Sequence, residues 1–370
     1  MQHYLNTITY YFAFFFFPFV GFTQSIDSIT AINTTVKESS GLILMQDLLI
    51  TMNDSGGDNA LYELDTITGS INRRIVVENA TNHDWEALTR DDDFIYIGDF
   101  GNNDGSRTDL RVYKVSIVDY LSTTNDSVSA QIITFDYEDQ TDFTPLNMQT
   151  NFDAEAMVSI GDSLYIFSKN WLDRKTRIYS LSKSPGDYTI SFLKELNLNF
   201  LVTDATYNPH FNSIILIGYW AGGNYMAELG GILLPTHPFG NVSLSTNLIT
   251  KPVNSILQLE GITYKAPNLY WVTCENGNGQ VAQLFEMFYQ PISVGFNNHH
   301  QTDFKTFYNR FEKTINVVGT YDSGLIYDVN GKFIRKITGS VESVEDLIQG
   351  IYLFRFLIHG NEVIKKIAIW

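Results

Sequence analysis

Cysteine is nearly absent: Cys274 is the only one, so no intramolecular disulfide can form and no thiol cluster can hold zinc. Basic residues are scarce and scattered, 24 Lys and Arg against 41 Asp and Glu for a formal charge of −17. A polyanion would be repelled before reaching such a surface, which argues against nucleic acid as a partner. Beyond the first residues, no apolar run is long enough to span a bilayer. The Gly-x-Ser-x-Gly elbow is missing, and the repeat pattern described below brings no Ser, His and Asp together as a triad.

What is present favours strands. The chain is 44% hydrophobic and 14% aromatic, and clusters of Gly, Asn and Asp separate short apolar runs rich in β-branched residues. An all-β protein follows. At the start, the apolar run Tyr10 to Phe22 with small residues about its end has the layout of a signal peptide over residues 1–23, cleaved near Thr23. Retention as an N-terminal anchor is the alternative.

One pattern recurs five times between residues 38 and 290: an acidic or polar residue, a small residue and an aliphatic, then a second strand. The copies are Ser40-Gly41-Leu42 with Leu49-Ile50-Thr51, Glu86-Ala87-Leu88 with Ile95-Tyr96-Ile97, and Glu155-Ala156-Met157 with Leu164-Tyr165-Ile166. Asp204-Ala205-Thr206 with Ile214-Ile215-Leu216 and Glu260-Gly261-Ile262 with Leu269-Tyr270-Trp271 complete the set. The spacing between the two runs is nearly constant and suggests hairpins of one register. A third strand follows, and a fourth is readable at Ile71 to Val77, Ala130 to Tyr137, Thr189 to Leu196 and Val242 to Ile249.

Four strands per repeat is what a β-propeller blade requires, and residues 24–296 are assigned to one. The last repeat lacks a fourth strand, whereas Ile29 to Val36 is strand-like and unassigned, so an N-terminal strand should close the ring. Five blades are visible, and the interval from Glu86 to Glu155 has room for a sixth. A β-solenoid is the competing architecture.

After the polar stretch Asn297 to Gln301 the pattern stops, and residues 297–370 are read as a linker and a small antiparallel sandwich. Its runs are Thr314 to Val318, Gly324 to Tyr327, Phe333 to Ile337, Gly350 to Ile358 and Val363 to Ile369. Leu325 to Lys332, Leu347 to Leu353 and the terminal Val363 to Ala368 resemble the C-terminal sorting domain of the type IX secretion pathway. Tyr308-Asn309-Arg310 stands where that family usually has Pro-Asn-Pro. The resemblance implies export to the outer surface of a gram-negative cell, the type IX machinery as partner, and removal of the domain with attachment to surface lipopolysaccharide. In the repeat region, Asp84-Trp85-Glu86 and Gly98 to Asn103 look like a family of bacterial propellers with no settled activity, which supplies a fold and no mechanism.

If the first strand of each blade lines a central channel, Glu86, Glu155, Asp204 and Glu260 converge there. Such a set needs a cation, donors or protonation, and Ca²⁺ suits carboxylate oxygens. The competing reading has each carboxylate capping backbone N–H groups of the next blade. The turns after the second strands add Asn53, Asp54, Asp99, Asn102, Asn103, Lys169, Trp171, Trp220 and Glu275 as a ligand-binding set, with the tryptophans able to stack on sugars or peptide side chains. The loop from Asp99 to Gly105 lacks the ligand spacing of an EF-hand, so turn geometry is the better account of its Asn and Asp. His83 beside Asp84 and Glu86 reads as a turn histidine, and His299-His300 as a spacer.

Two functions are compatible with this pattern. One is a surface-displayed module binding a glycan or protein. The other is a metal-dependent phosphoesterase resembling propeller phytases, which would want more basic groups than Lys169 and Arg107 near the turns.

Overall fold

The computed structural model describes residues 25–230, 243–249, 257–277, 281–289, 305–309, 312–328, 332–358 and 361–369. The chain divides into two compact units between residues 293 and 294. The apolar run at the start and the stretch Asn297 to Gln301 lie outside the described residues.

In the first unit, each repeat is a sheet whose strands lie in sequence order from the inside out, except that the outermost strand of the fifth comes from the N-terminal end. The innermost strands are Ser39–Met45, Trp85–Arg90, Ala154–Ile160, Leu201–Asn208 and Leu259–Ala266. Each packs against the innermost strand of the next sheet, and the fifth packs against the first, so the five sheets form a closed ring. Five apolar cores fill the gaps between neighbouring sheets, the last joining Leu42, Leu49 and Tyr62 to Trp271 and Leu284. This is a five-bladed β-propeller. Being covered on both faces, inner strands are buried almost continuously, as in Ser39–Met45, whereas the outer strand Ile71–Val77 has exposed and half-buried positions.

Ring closure uses the N-terminal strand Ser25–Ala31, antiparallel to Gln283–Phe288 in the fifth sheet. The expected closing segment thus lies earlier than Ile29 to Val36, since Thr34–Val36 is a 3₁₀ turn capped by the Asn33 side chain. No sixth blade occurs among the described residues of the first unit; between the innermost strands of the second and third blades lie that second blade's own outer strands, the helix Ile117–Ser122 and the short strand Ser127–Val128. The strand expected over Thr189 to Leu196 is split. Gly186–Ile190 pairs in parallel with Ala130–Tyr137 of the preceding blade, and Phe192–Asn197 is the outer strand of its own. Ser127–Val128 likewise pairs with Val76 and Val77 of the first blade. Both additions cover backbone groups that an outer edge would otherwise expose.

Hairpin register repeats as expected in four blades: Leu42 faces Thr51, Leu88 faces Ile97, Met157 faces Ile166 and Thr206 faces Ile215, each pair two and eleven residues beyond the aligned Ser40, Glu86, Glu155 and Asp204. The fifth is longer by one residue, with Ile262 opposite Val272. A bulge recurs as well, but its place shifts. The ladder skips Gly41, Glu86, Glu155, Thr203 and Glu260, so the bulge falls on the aligned glutamate in three blades, one residue after Ser40 in the first and one before Asp204 in the fourth.

Each inner strand is an edge strand, and its unpaired backbone groups are met by side chains of the neighbouring blade. Ser40 Oγ donates to Glu86 O, Thr203 Oγ1 to Leu259 O, and Asp204 Oδ2 accepts from Ile262 N at 2.7 Å. Thr206 Oγ1 accepts from Tyr264 N at 3.1 Å. These contacts advance together along both chains, so neighbouring inner strands run in the same direction and all begin at the same end of the channel. Gly41, at φ +67°, is needed at its close crossing, because a Cβ there would lie 2.6 Å from Leu88 N.

The second unit has two antiparallel sheets. Lys305–Asn309, Thr314–Val318 and Val341–Ser343 form one, and Phe333–Ile337, Ser323–Asp328, Gly350–Ile358 and Asn361–Ile369 form the other in that order. Ile315, Val317, Ile326, Phe354 and Phe356 are among the residues of its core.

Candidate functional site: the acidic mouth of the channel

The inner strands begin at one mouth of the channel, and the bulge there turns its residue out of the ladder toward the axis. Glu86, Glu155 and Glu260 are carried in this way, and two aspartates precede the first two in the repeated spacing Asp84-x-Glu86 and Asp153-x-Glu155. Asp54 and Glu275 follow the second strands of the first and fifth blades.

Asp54, Asp84 and Glu86 form the tightest group, each offering one oxygen within 4.8 Å of the others. Gly101 makes room for it: a Cβ there would lie 2.3 Å from Asp84 Oδ2 and 2.5 Å from Glu86 Oε1. Glu86 is only 3% exposed, and among the described residues no donor is bonded to its carboxylate. Burial first, then the charges of Asp54 and Glu155, push its pKa well above the ordinary carboxylate range. Burial with Asp54 and Asp153 nearby pushes Asp84 up to about 7.

The other side of the mouth has its own cation. Lys169 Nζ bonds Glu155, lies 3.3 Å from the Tyr219 hydroxyl, and sits 4.9 Å over the Trp171 ring. Burial raises the pKa of Glu155 despite that ammonium, and that of Lys169 is raised by Glu155, Tyr219 and Glu260 against the opposing effect of burial. Glu260 is pushed up to about 8 by burial, with Lys169 pulling the other way. Glu275 is raised by burial and by Asp54. Trp171 Nε1 donates to Asp153 at 2.8 Å, which also accepts from Asn102 N at 2.7 Å. Next to Tyr219, Trp220 is 37% exposed with the Arg174 guanidinium 4.7 Å over its ring.

The structure therefore brings Glu86, Glu155 and Glu260 to one mouth, and Asp204 to a different place. One residue beyond its bulge, Asp204 accepts from Ala205 N at 2.8 Å and Ile262 N at 2.7 Å, interacts with the Leu42 backbone, and is fully buried. It caps neighbouring strands across the channel floor, as the competing sequence reading expected of these carboxylates.

Several expected ligand-binding residues brace turns instead. Asn53 donates to Thr35 O and accepts from Glu38 N, and Asn102 bonds Phe152 O and Arg107 N. Asp99 is fully buried, accepting from Asp84 N at 3.1 Å and Arg107 Nη2 at 3.0 Å. Asn103 O accepts from Met148 N at 2.9 Å, tying down the loop after Gln140. His83 Nδ1 lies 3.0 Å from Asp109 Oδ2 on the half-exposed rim. Asp54, Lys169, Trp171 and Glu275 remain at the mouth. Sequence reasoning assigned no site role to Asp153 or Tyr219 and placed Asp54 outside the metal set; the repeated Asp-x-Glu spacing was the available signal for Asp84 and Asp153.

No family model matches the sequence, and no curated protein matches it. Solved structures align at low similarity. An oxidoreductase of Thermus thermophilus assigned as a glucose dehydrogenase is 10% identical with a TM-score of 0.39, over 72% of this chain and 100% of that one. The Dos1 propeller is 12% identical with a TM-score of 0.34, over 89% of this chain and 78% of its own. YCF48 bound to D1 peptide is 10% identical with a TM-score of 0.31, over 94% and 97%. Values this low carry no conclusion about what this chain does.

Proposed function

We propose that this chain is a binding module displayed outside the cell, and that its recognition centre is a Ca²⁺ ion held at the acidic mouth by Asp54, Asp84 and Glu86. One observation carries the reading: the nearly buried Glu86 carboxylate has no donor among the described residues and shares a 4.8 Å group with two other carboxylates. Three ionised carboxylates so placed are costly alone, and a hard divalent cation with a preference for oxygen offsets that cost. Lys169 serves Glu155 and leaves the other group for the metal. The ion would present open coordination positions to an oxygen-rich ligand, a glycan or a protein carboxylate, with Trp171 and Trp220 beside it as aromatic contacts.

The phosphoesterase alternative gains nothing from the basic groups. Lys169 is bonded to Glu155, and Arg107 to Asp99 and Asp109, so neither is free to hold phosphate. Display by the signal segment and the C-terminal unit belongs to the same proposal; mass spectrometry of the protein released by its host cells would detect loss of residues 1–23 and of the unit.

The deciding experiment is metal analysis with calorimetric Ca²⁺ titration of the full chain, alongside Glu86→Gln, Asp84→Asn and Asp204→Asn. Stoichiometric binding lost in the first two variants and kept in the third supports the reading. No heat and no thermal shift would sink it, and turnover of phosphoesters by the loaded protein would replace binding with hydrolysis.

A further inference from the structure

The channel has a second mouth, where the inner strands end, and its chemistry is different. A cavity of about 250 Å³ opens there, bordered by Thr89, Arg90, Ser159, Thr206, Tyr207 and Tyr264 with the aliphatic strand residues between them. Asp204 and its backbone bonds lie between this cavity and the carboxylates.

Three threonines at the same position after the bulge define its polar lining. Thr89 Oγ1 accepts from Ser159 N, Thr206 Oγ1 from Tyr264 N and Thr263 Oγ1 from Leu44 N, each at 3.1 Å. An accepting hydroxyl keeps its own proton to donate, and the cavity borders all three. Ser159 Oγ is buried and has no hydrogen-bond partner among the described residues. Arg90 is held by the carbonyls of Leu44 and Asp91 at 2.8 and 3.1 Å, so its charge is not spent on a carboxylate there. Tyr207 is fixed by its bond to Asn212 at 2.7 Å, and Tyr264 by edge contact with Tyr270.

Separate hydroxyl donors, one guanidinium, the carboxylates of Asp91 and Asp92, and two fixed aromatic rings surround an apolar wall; Asp91 is paired with Lys183 at 2.9 Å, which leaves Arg90 and Asp92 as one charge of each sign. They suit a ring with hydroxyls at its edge and C–H groups on its faces. The volume lies below the roughly 300–1,000 Å³ of pockets for drug-sized ligands, which limits the occupant to one small ring. We propose that this mouth binds a single neutral sugar ring, as a free monosaccharide or as the terminal unit of a glycan. The proposal takes up the binding-module reading but not its cation, because the site lies beyond Asp204.

The test uses the full chain in EDTA, with saturation-transfer NMR and calorimetry against a panel of methyl glycopyranosides, the free hexoses, and their di- and trisaccharides. Binding of at least one member at a Kd of about 1 mM or tighter is expected, unchanged in Glu86→Gln. Thr89→Val/Thr206→Val and Tyr264→Ala should each weaken it about tenfold or more, with Thr206→Ser retaining it as the control for folding. Tighter binding of oligosaccharides identifies a glycan terminus, and equal binding a free sugar. No sugar bound by the unaltered protein, binding indifferent to the pocket variants, or saturation by acetate or inorganic phosphate alone would overturn the proposal. Because EDTA keeps metal away, its failure leaves the Ca²⁺ reading standing, and failure of the Ca²⁺ titration leaves this one standing.

Discussion

Glu86 and Glu155 are the bulge residues of successive blades, yet only Glu155 has an ammonium: Lys169 bonds it, while among the described residues nothing bonds the Glu86 carboxylate. The two positions are equivalent in the repeat and opposite in chemistry. That asymmetry sets what the mouth should do when pH, metal or sequence is changed.

Calcium affinity should depend on pH. Asp84 and Glu86 hold protons more strongly than ordinary carboxylates, Asp84 up to about pH 7, and the ion binds the deprotonated forms. Affinity therefore falls as pH drops below 7, by up to about tenfold per pH unit for each proton displaced. Titrations at pH 5.5, 6.5 and 7.5 in two buffers of different ionisation enthalpy would measure the released protons; a pH-independent constant would contradict the site.

Metal-free protein should lose stability as pH rises. A carboxyl group with a folded-state pKa above its unfolded value stabilises below the unfolded value, and that contribution is lost as pH climbs through the folded one. For Asp84 the window runs from its ordinary value of 3.8 to about 7, and for Glu260 from 4.5 to about 8. In EDTA the melting temperature should fall from pH 5 to 8, and Ca²⁺ should flatten the decline. A curve rising across that interval would mean that these carboxylates are stabilised in their charged forms.

Breaking the Lys169–Glu155 pair should cost more than removing both charges. Lys169→Met leaves a buried carboxylate without its cation, a change that typically costs about 3–5 kcal/mol. Adding Glu155→Gln should recover most of the loss in urea unfolding. If the double variant is no more stable than Lys169→Met, the pair is not the coupled unit described.

Asp204→Ala should destabilise without altering calcium binding. It leaves Ile262 N and Ala205 N, both buried, without their acceptor, at about 1–3 kcal/mol for each group. Calorimetry on the folded fraction separates this from a ligand role, since a ligand would lose affinity as well as stability.

Ring closure rests on a strand far away in sequence. Ile26 is 5% exposed in the core between the fourth and fifth blades, so Ile26→Ala should cost about 2–5 kcal/mol, more than Ile29→Ala at a position 42% exposed. Equal effects in denaturant melts would argue against closure by Ser25–Ala31.

Much of the blade was legible from local pattern. Ile71–Val77 and Ala130–Tyr137 occur with the bounds expected, because β-branched runs between turn residues specify a strand without distant help. The recurring acidic position was also visible. What misled was the assumption that similar letters occupy similar places: the fourth blade has Asp204 beside its bulge residue Thr203, and one residue in a strand turns a side chain to a different face.

Alternation, turn residues and repetition in the sequence by themselves determine that this chain forms strands, where most begin and end, and that they recur as blades, since these are local properties of a two-residue period. Tertiary structure alone decided the bulge register, the exchange at Gly186–Ile190, the closing strand Ser25–Ala31, and the meeting of Asp54 with Asp84 and Glu86. Those outcomes depend on the ring closing, which places residues from different repeats around one axis and buries them there, and no local pattern carries that distance.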